Sequence, residues 1–242
     1  MGDPELPGDG HVMRARVNEV YFAHQGEGPR LGVPSVFVRL HGCPVQCEWC
    51  DTPFTWDGSE SGEATSVRAL ADRVIALARE TCAEAVVVTG GEPLISKGLV
   101  PLLKRLTEAG LACEVETAAI LPPPVGLDAL SGVTVNLSPK LPSALPKILP
   151  DPALLRAWLL SRIPTTLKLV VADELDWRTM EALLRSLDLG PELARKVYLM
   201  PCATTRDGLA QAQAWLLGRA KGSPYRVTTR MHVAAYGDER GR

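Results

Sequence analysis

The chain alternates between short, continuous apolar runs and longer stretches of helical periodicity. Val36 to Leu40 reads as a buried strand leading into a cysteine-rich loop, and Ala85 to Thr89 as a second, ending at Gly90-Gly91. Between them, Ser66 to Arg79 sets Val67, Leu70, Val74, Leu77 and Ala78 on one helical face, with Thr65 or Ser66 as N-cap. Leu99 to Ala109 is predicted as a helix closed by Gly110, followed by a strand at Cys113 to Thr117. Further strands are predicted at Val133 to Leu137, Thr166 to Val171 and Val197 to Met200, and helices at Pro152 to Leu160, Trp177 to Leu187 and Gly208 to Leu217. Leu121 to Pro124 and Pro139 to Pro152 are proline-rich connections inside this alternation rather than linkers. One domain over 1–242 is expected, with 1–10 flexible.

Apolar strands separated by helices imply a parallel sheet covered by helices. About six such units are visible, fewer than the eight of a closed barrel, so the predicted fold is a partial, open βα barrel with its helices outside. Functional loops of such folds follow the C-terminal ends of strands. Chemistry is therefore expected just after Leu40, Val88, Val115, Leu137, Val171 and Leu199.

Composition narrows the picture only a little. With 46% hydrophobic residues over 242, the chain can bury a substantial core. A formal net charge of −2 leaves no basic footprint for nucleic acid. No apolar run approaches the roughly 20 residues that cross a bilayer, so no membrane partner is expected. Met1 to Gly10 is acidic and rich in Gly and Pro, unlike a secretion signal, which makes a cytoplasmic location the expectation. A disulfide framework is not expected from the six cysteines. Cys82 and Cys113 read as buried small hydrophobes, while Cys202 stands alone.

Cys43, Cys47 and Cys50 are different, because their C-x3-C-x2-C spacing puts three thiols in one loop directly after a strand. Three thiolates can hold three irons of a 4Fe–4S cubane, leaving the fourth iron open to a ligand. A zinc knuckle completed by His41 is the bland alternative, but His41 and Cys43 are too close in sequence to chelate comfortably. A ferredoxin-like electron carrier would bring a fourth cysteine at matching spacing, and Cys82, Cys113 and Cys202 do not provide one.

Thr89-Gly90-Gly91-Glu92-Pro93 follows the second strand; its glycines permit close backbone approach, and Glu92 offers an acceptor for an ammonium group. Ser138-Pro139-Lys140 follows a later strand. With the cysteine loop, these segments resemble the radical S-adenosylmethionine (SAM) superfamily. That resemblance implies that SAM chelates the open iron and that Gly90, Gly91, Glu92 and Ser138 contact it. It also implies an electron donor such as a flavodoxin or ferredoxin.

Other groups narrow the reaction. Arg39 suits bidentate capture of a carboxylate. Gln25, Glu27 and Glu116 suit the donor-acceptor edge of an aminopyrimidinone, and His232 a carboxylate or carbonyl. Each also has a plain reading: a turn at Gln25 to Gly28, an ion pair for Arg39, an ordinary histidine on a late strand for His232. Taken in order, Gln25-Gly26-Glu27-Gly28, Phe37 to Cys43, Cys50-Asp51-Thr52, Gly90 to Pro93, Val115-Glu116-Thr117, Ser138 to Lys140 and Arg230-Met231-His232 resemble the 7-carboxy-7-deazaguanine synthases. The similarity spans nearly the whole chain.

It implies ring contraction of 6-carboxy-5,6,7,8-tetrahydropterin with loss of ammonia, in queuosine and 7-deazapurine biosynthesis. It further implies the pterin held by Gln25, Glu27, Arg39, Glu116 and His232, Mg²⁺ held by Thr52, and a homodimer. A glycyl-radical activating enzyme, which shares the cluster motif, is the alternative enzyme class. The chain departs from the family at Ala118-Ala119, where Asn-Gly is usual, and at Cys202-Ala203, where a pair such as Glu-Gly is common.

Overall fold

The predicted strands are all present, joined by three that are too amphipathic or too short to read as apolar runs. The computed structural model describes residues 13–188, 190–237 and 239–241; the expected flexible segment 1–10 and Asp238 lie outside the described residues. Arg14–His24 (β1) runs antiparallel to both Pro34–Leu40 (β2) and Glu63–Ser66 (β3). Ala85–Gly90 (β4), Ala112–Thr117 (β5), Val133–Leu137 (β6), Thr165–Val171 (β7), Val197–Pro201 (β8) and Arg226–Val227 (β9) continue from β2 in parallel register. The nine-stranded sheet has the order β3-β1-β2-β4-β5-β6-β7-β8-β9 and stays open between β3 and β9.

The expected parallel sheet is present from β2 to β9, and it is extended at one edge by β1, antiparallel to both its neighbours, and by β3. In β1 the sequence Arg14-Ala15-Arg16-Val17 alternates, burying Ala15 and Val17 and exposing the arginines, so it lacks the continuous apolar run of a central strand. Its antiparallel pairing to β2 also needs only a short turn, with no crossover helix to mark it.

Five helices follow where the periodicity puts them, Val67–Thr81 (α1), Leu99–Glu108 (α2), Pro152–Leu159 (α3), Glu174–Leu187 (α4) and Arg206–Ala220 (α6), and two short ones that it does not predict are added, Pro191–Ala194 (α5) and Met231–Tyr236 (α7). Helix α4 starts three residues before Trp177 because Asp173 caps it, accepting from Asp176 N at 2.8 Å. Cys82 corrects another expectation: it is exposed, holding the left-handed residue that ends α1, whereas Cys113 is buried. His232 lies on the short helix α7 rather than on a late strand. Among the described residues no helix is long and apolar enough to cross a membrane.

The sheet's two faces carry different chemistry. Val36, Val38, Leu40, Val86, Val88, Val115, Val135, Leu137, Leu167 and Leu169 share one core with Leu70 and Val74 of α1 and with Leu99, Leu102, Leu103 and Leu106 of α2. Because side chains alternate along a strand, the opposite face receives Arg39, Thr89, Glu114, Glu116, Asn136 and Lys168. Ala23, Phe37 and Val87 form a small apolar patch there, with Tyr21 stacked on Phe37. Leu103→Ala, in the core, is expected to cost about 2–5 kcal/mol. Leu217→Ala, half-exposed on α6, should stay within about 0.5 kcal/mol. Urea denaturation of the two variants measures the contrast.

Candidate active site

Backbone hydrogen bonds hold the cysteine loop at both ends. Gly91 N donates to Leu40 O at 2.9 Å, Glu92 N to Gly42 O at 2.8 Å, and Gly42 N to Thr55 O at 2.7 Å. A Cβ on Gly90, whose φ is +119°, would overlap the Leu40 backbone, and one on Gly91 would overlap the Gly42 carbonyl. These glycines therefore serve the close approach of two strand-end loops to each other. On the opposite flank Glu48 N donates to Ala144 O and Lys147 N to Val45 O, both at 2.9 Å. Trp49 Nε1 donates to Ser143 Oγ at 3.3 Å, and Ser143 Oγ in turn donates to the buried carboxylate of Asp176 at 2.6 Å.

The three cysteines face one cleft of about 240 Å³. Val45, Cys47 and Ala144 pack together with Trp49, Ala118 and Ile120 beside them, and burial pushes the Cys47 thiol up to about 11 and Cys43 upward too. Trp56 Nε1 donates to Cys50 Sγ at 3.4 Å. Among the described residues no three His, Cys, Asp or Glu side chains are grouped to hold a single metal ion. Soft thiols standing around a shared space fit an iron–sulfur cubane, which takes each thiolate on a different iron. His41 does not line this cleft with the cysteines; its Nδ1 lies 3.1 Å from Asn18 Oδ1 on β1.

Away from the cysteines the same cleft is lined by Gln25, Glu27, Arg39, Thr52, Gly90, Gly91, Glu116, Ser138 and His232, so the fold brings most of the predicted residues together. Arg39 is pinned from behind: its Nε donates to Glu19 at 2.7 Å and a terminal nitrogen to Tyr21 Oη at 2.8 Å. Glu92 is the outlier, set behind the wall. It accepts from Leu94 N at 3.0 Å, Thr117 Oγ1 at 2.6 Å and Ala118 N at 2.8 Å, and so braces the loop after β5. Thr52 is nearly buried, and its carbonyl receives Thr55 N and Thr55 Oγ1. Ser138 receives Lys140 Nζ at 3.3 Å. Gly26 has no side chain because the ring of His232 occupies that space, and Met231 N donates to Gly26 O at 2.8 Å.

Three charged residues here belong to no predicted set. Lys168, in the middle of β7, reaches Glu27 Oε2 at 2.5 Å and Glu116 Oε1 at 3.4 Å. Arg230 reaches Glu27 Oε1 at 3.0 Å and Asp51 Oδ2 at 2.8 Å. Glu114 is buried beneath Gln25, whose Nε2 donates to it at 3.0 Å and to Glu116 at 3.3 Å. Burial raises the Glu27 carboxyl, but Lys168, Arg230 and His232 outweigh it and hold the group well below the usual carboxylate range. Burial, with the neighbouring Glu116 charge, pushes Glu114 up to about 7. His232 is lowered from the usual imidazole range chiefly by burial, which favours its neutral form. A charge inside an otherwise apolar strand was the available signal for Lys168 and Glu114.

Residues 24–117 match a family described as a 4Fe-4S single cluster domain. The chain is 33% identical to a 7-carboxy-7-deazaguanine synthase of Rhodopirellula baltica, over 98% of this chain and 93% of the relative. It is 35% identical to one of Pyrobaculum aerophilum, over 95% and 98% respectively. The crystal structure of QueE from Escherichia coli superposes with a TM-score of 0.65 at 28% identity, covering 90% of this chain and 95% of that one.

Two outcomes follow from the site's backbone and charge. Ala119 sits at φ +57°, a left-handed conformation that glycine adopts without strain, so Ala119→Gly should stabilise the fold by up to about 1 kcal/mol in urea denaturation. Folded Glu114 keeps a proton that the unfolded chain gives up, so its burial lowers stability as pH rises from the ordinary glutamate range to about 7. Glu114→Gln should shrink the difference between urea midpoints at pH 5 and pH 8.

Proposed function

The chain belongs to the 7-carboxy-7-deazaguanine synthase family, and on that premise we infer that its cleft contracts the ring of 6-carboxy-5,6,7,8-tetrahydropterin to give 7-carboxy-7-deazaguanine and ammonia. The conversion is redox-neutral, since substrate and product differ by one ammonia. The observation that carries this reading is a single cleft holding both the three cysteines and the Gln25, Glu27, Arg39, Glu116 and His232 set. The glycyl-radical activating alternative is set aside by identity that runs along the whole length of synthase relatives.

Cys43, Cys47 and Cys50 hold the 4Fe–4S cluster, and Gly90, Gly91 and Ser138 flank the space for SAM. Glu92 acts there by fixing the Thr117-Ala118 backbone. Bound there, the cluster and SAM would supply one-electron chemistry for removing a hydrogen atom from substrate. The rest falls to the protein. Glu27, held ionised, and Glu116 accept hydrogen bonds from the N–H edge of the aminopyrimidinone. Arg39, fixed by Glu19 and Tyr21, faces the substrate carboxylate. Neutral His232 donates to a carbonyl or carboxylate oxygen. Thr52 would offer a hard oxygen to Mg²⁺, which suits oxygen ligands.

Anaerobic incubation of the reconstituted, reduced protein with SAM and 6-carboxytetrahydropterin is expected to yield 7-carboxy-7-deazaguanine. Cleavage of SAM with no such product would overturn the substrate while leaving the radical chemistry. Glu27→Gln should lower kcat/KM about 10- to 100-fold, the scale of one charge-assisted hydrogen bond. It should leave slow, substrate-free SAM cleavage intact.

A further inference from the structure

A cation at the centre of a strand asks for a reason, because desolvating an ammonium is costly unless it is paired. Lys168 is 3% exposed and sits among Leu167, Leu169, Val170 and Val171, all buried. Its neighbours explain why it is there. Glu27 comes from the turn after β1 and Glu116 from the end of β5, so two like charges from separate elements converge on one cleft. Lys168 Nζ takes one oxygen of each. The second oxygen of Glu27 receives Arg230 Nε, and that of Glu116 receives Thr89 Oγ1 at 3.1 Å. Each carboxylate is thus fixed at both oxygens, with Lys168 as the member common to the two.

The stem of the lysine is also located. Gly28 lies over it at φ +67°, where an added Cβ would stand 3.8 Å from Lys168 Cδ and 3.0 Å from Asn136 Nδ2. Gly28 N is anchored to Thr228 Oγ1 at 3.1 Å. The turn that carries Glu27 therefore rests directly on the lysine that pairs with it.

We propose that Lys168 is a positioning residue for the pterin: it sets the spacing and orientation of Glu27 and Glu116 as a paired acceptor for the N–H edge of an aminopyrimidinone. This rests on the function inferred above. A lysine that only neutralised buried acid would matter for stability alone. One that positions the acceptors acts on substrate binding and acts through Glu27.

The experiment is a double-mutant cycle with the reconstituted enzyme, using Lys168→Met, Glu27→Gln and the combination. Lys168→Met is expected to raise KM for 6-carboxytetrahydropterin about 10- to 100-fold, the range for a hydrogen bond to a charged group. Its kcat at saturation should stay within about threefold, and substrate-free SAM cleavage should be unchanged. In the Glu27→Gln background the same substitution should cost far less than in the wild type, because the shared partner is gone. An unchanged KM with only a lower melting temperature would overturn the proposal, as would losses that simply multiply. Should Lys168→Met fail to fold, Lys168→Gln is compared with and without Glu27→Gln on the same KM readout. Wild-type enzyme runs in parallel: no product from it condemns the inferred function, whereas normal product with indifferent Lys168 variants condemns this proposal alone.

Discussion

The approach of two backbones, Gly90-Gly91 against Leu40 and Gly42, is the contact on which the rest of the site depends. Strands β2 and β4 are parallel neighbours, so their C-terminal loops emerge side by side and compete for the same space. Two residues without side chains resolve that conflict and let two hydrogen bonds tie the loops at Leu40 and Gly42, while a third, from Gly42 to Thr55, closes the cysteine loop on itself. The cysteine loop would otherwise be a long, weakly held excursion, costly to order. Its far side is held by Ala144 and by the chain from Trp49 through Ser143 to Asp176, which draws α4 into the support of a loop it never touches in sequence.

A second constraint is charge. Several acids and bases occupy one face of a sheet whose other face is largely apolar, and most of their surface is out of bulk water. Their balance comes from different strands: β2 contributes Arg39, β5 contributes Glu114 and Glu116, and β7 contributes Lys168. The folded register is therefore itself the condition for neutralisation. Slipping any one strand by a residue would move its charge to the helix-covered face and leave its partner unpaired.

The apolar runs made the parallel strands and their helices readable, because burial on both faces leaves a simple sequence trace. The edge of the sheet was not readable in the same way. Strand β1 alternates, β3 is four residues long and β9 two, so none of them forms a continuous run. Among site residues, the cysteines, Gln25, Glu27, Arg39 and Glu116 were legible because they sit in short motifs with strong chemical meaning. Lys168 and Glu114 break an apolar strand without any motif, and their significance appears only once β5 and β7 flank β6. Glu92 shows the opposite case: its motif was plain, but its carboxylate turns toward the loop after β5, a direction that spacing does not encode. Cys82 was misplaced because a helix end, unlike a helix face, gives no periodic signal for burial.

Arg230 links the two halves of the cleft in a way that has thermodynamic weight. One guanidinium joins Asp51, at the end of the cysteine loop, to Glu27, in the turn that faces the opposite wall. Its remaining hydrogen bond, to Ala203 O, fastens it to the loop after β8. Such a shared cation makes its two carboxylates reciprocal. Where ligands on the two sides both act on this guanidinium, the effect of each on the other's affinity is equal, whichever arrives first.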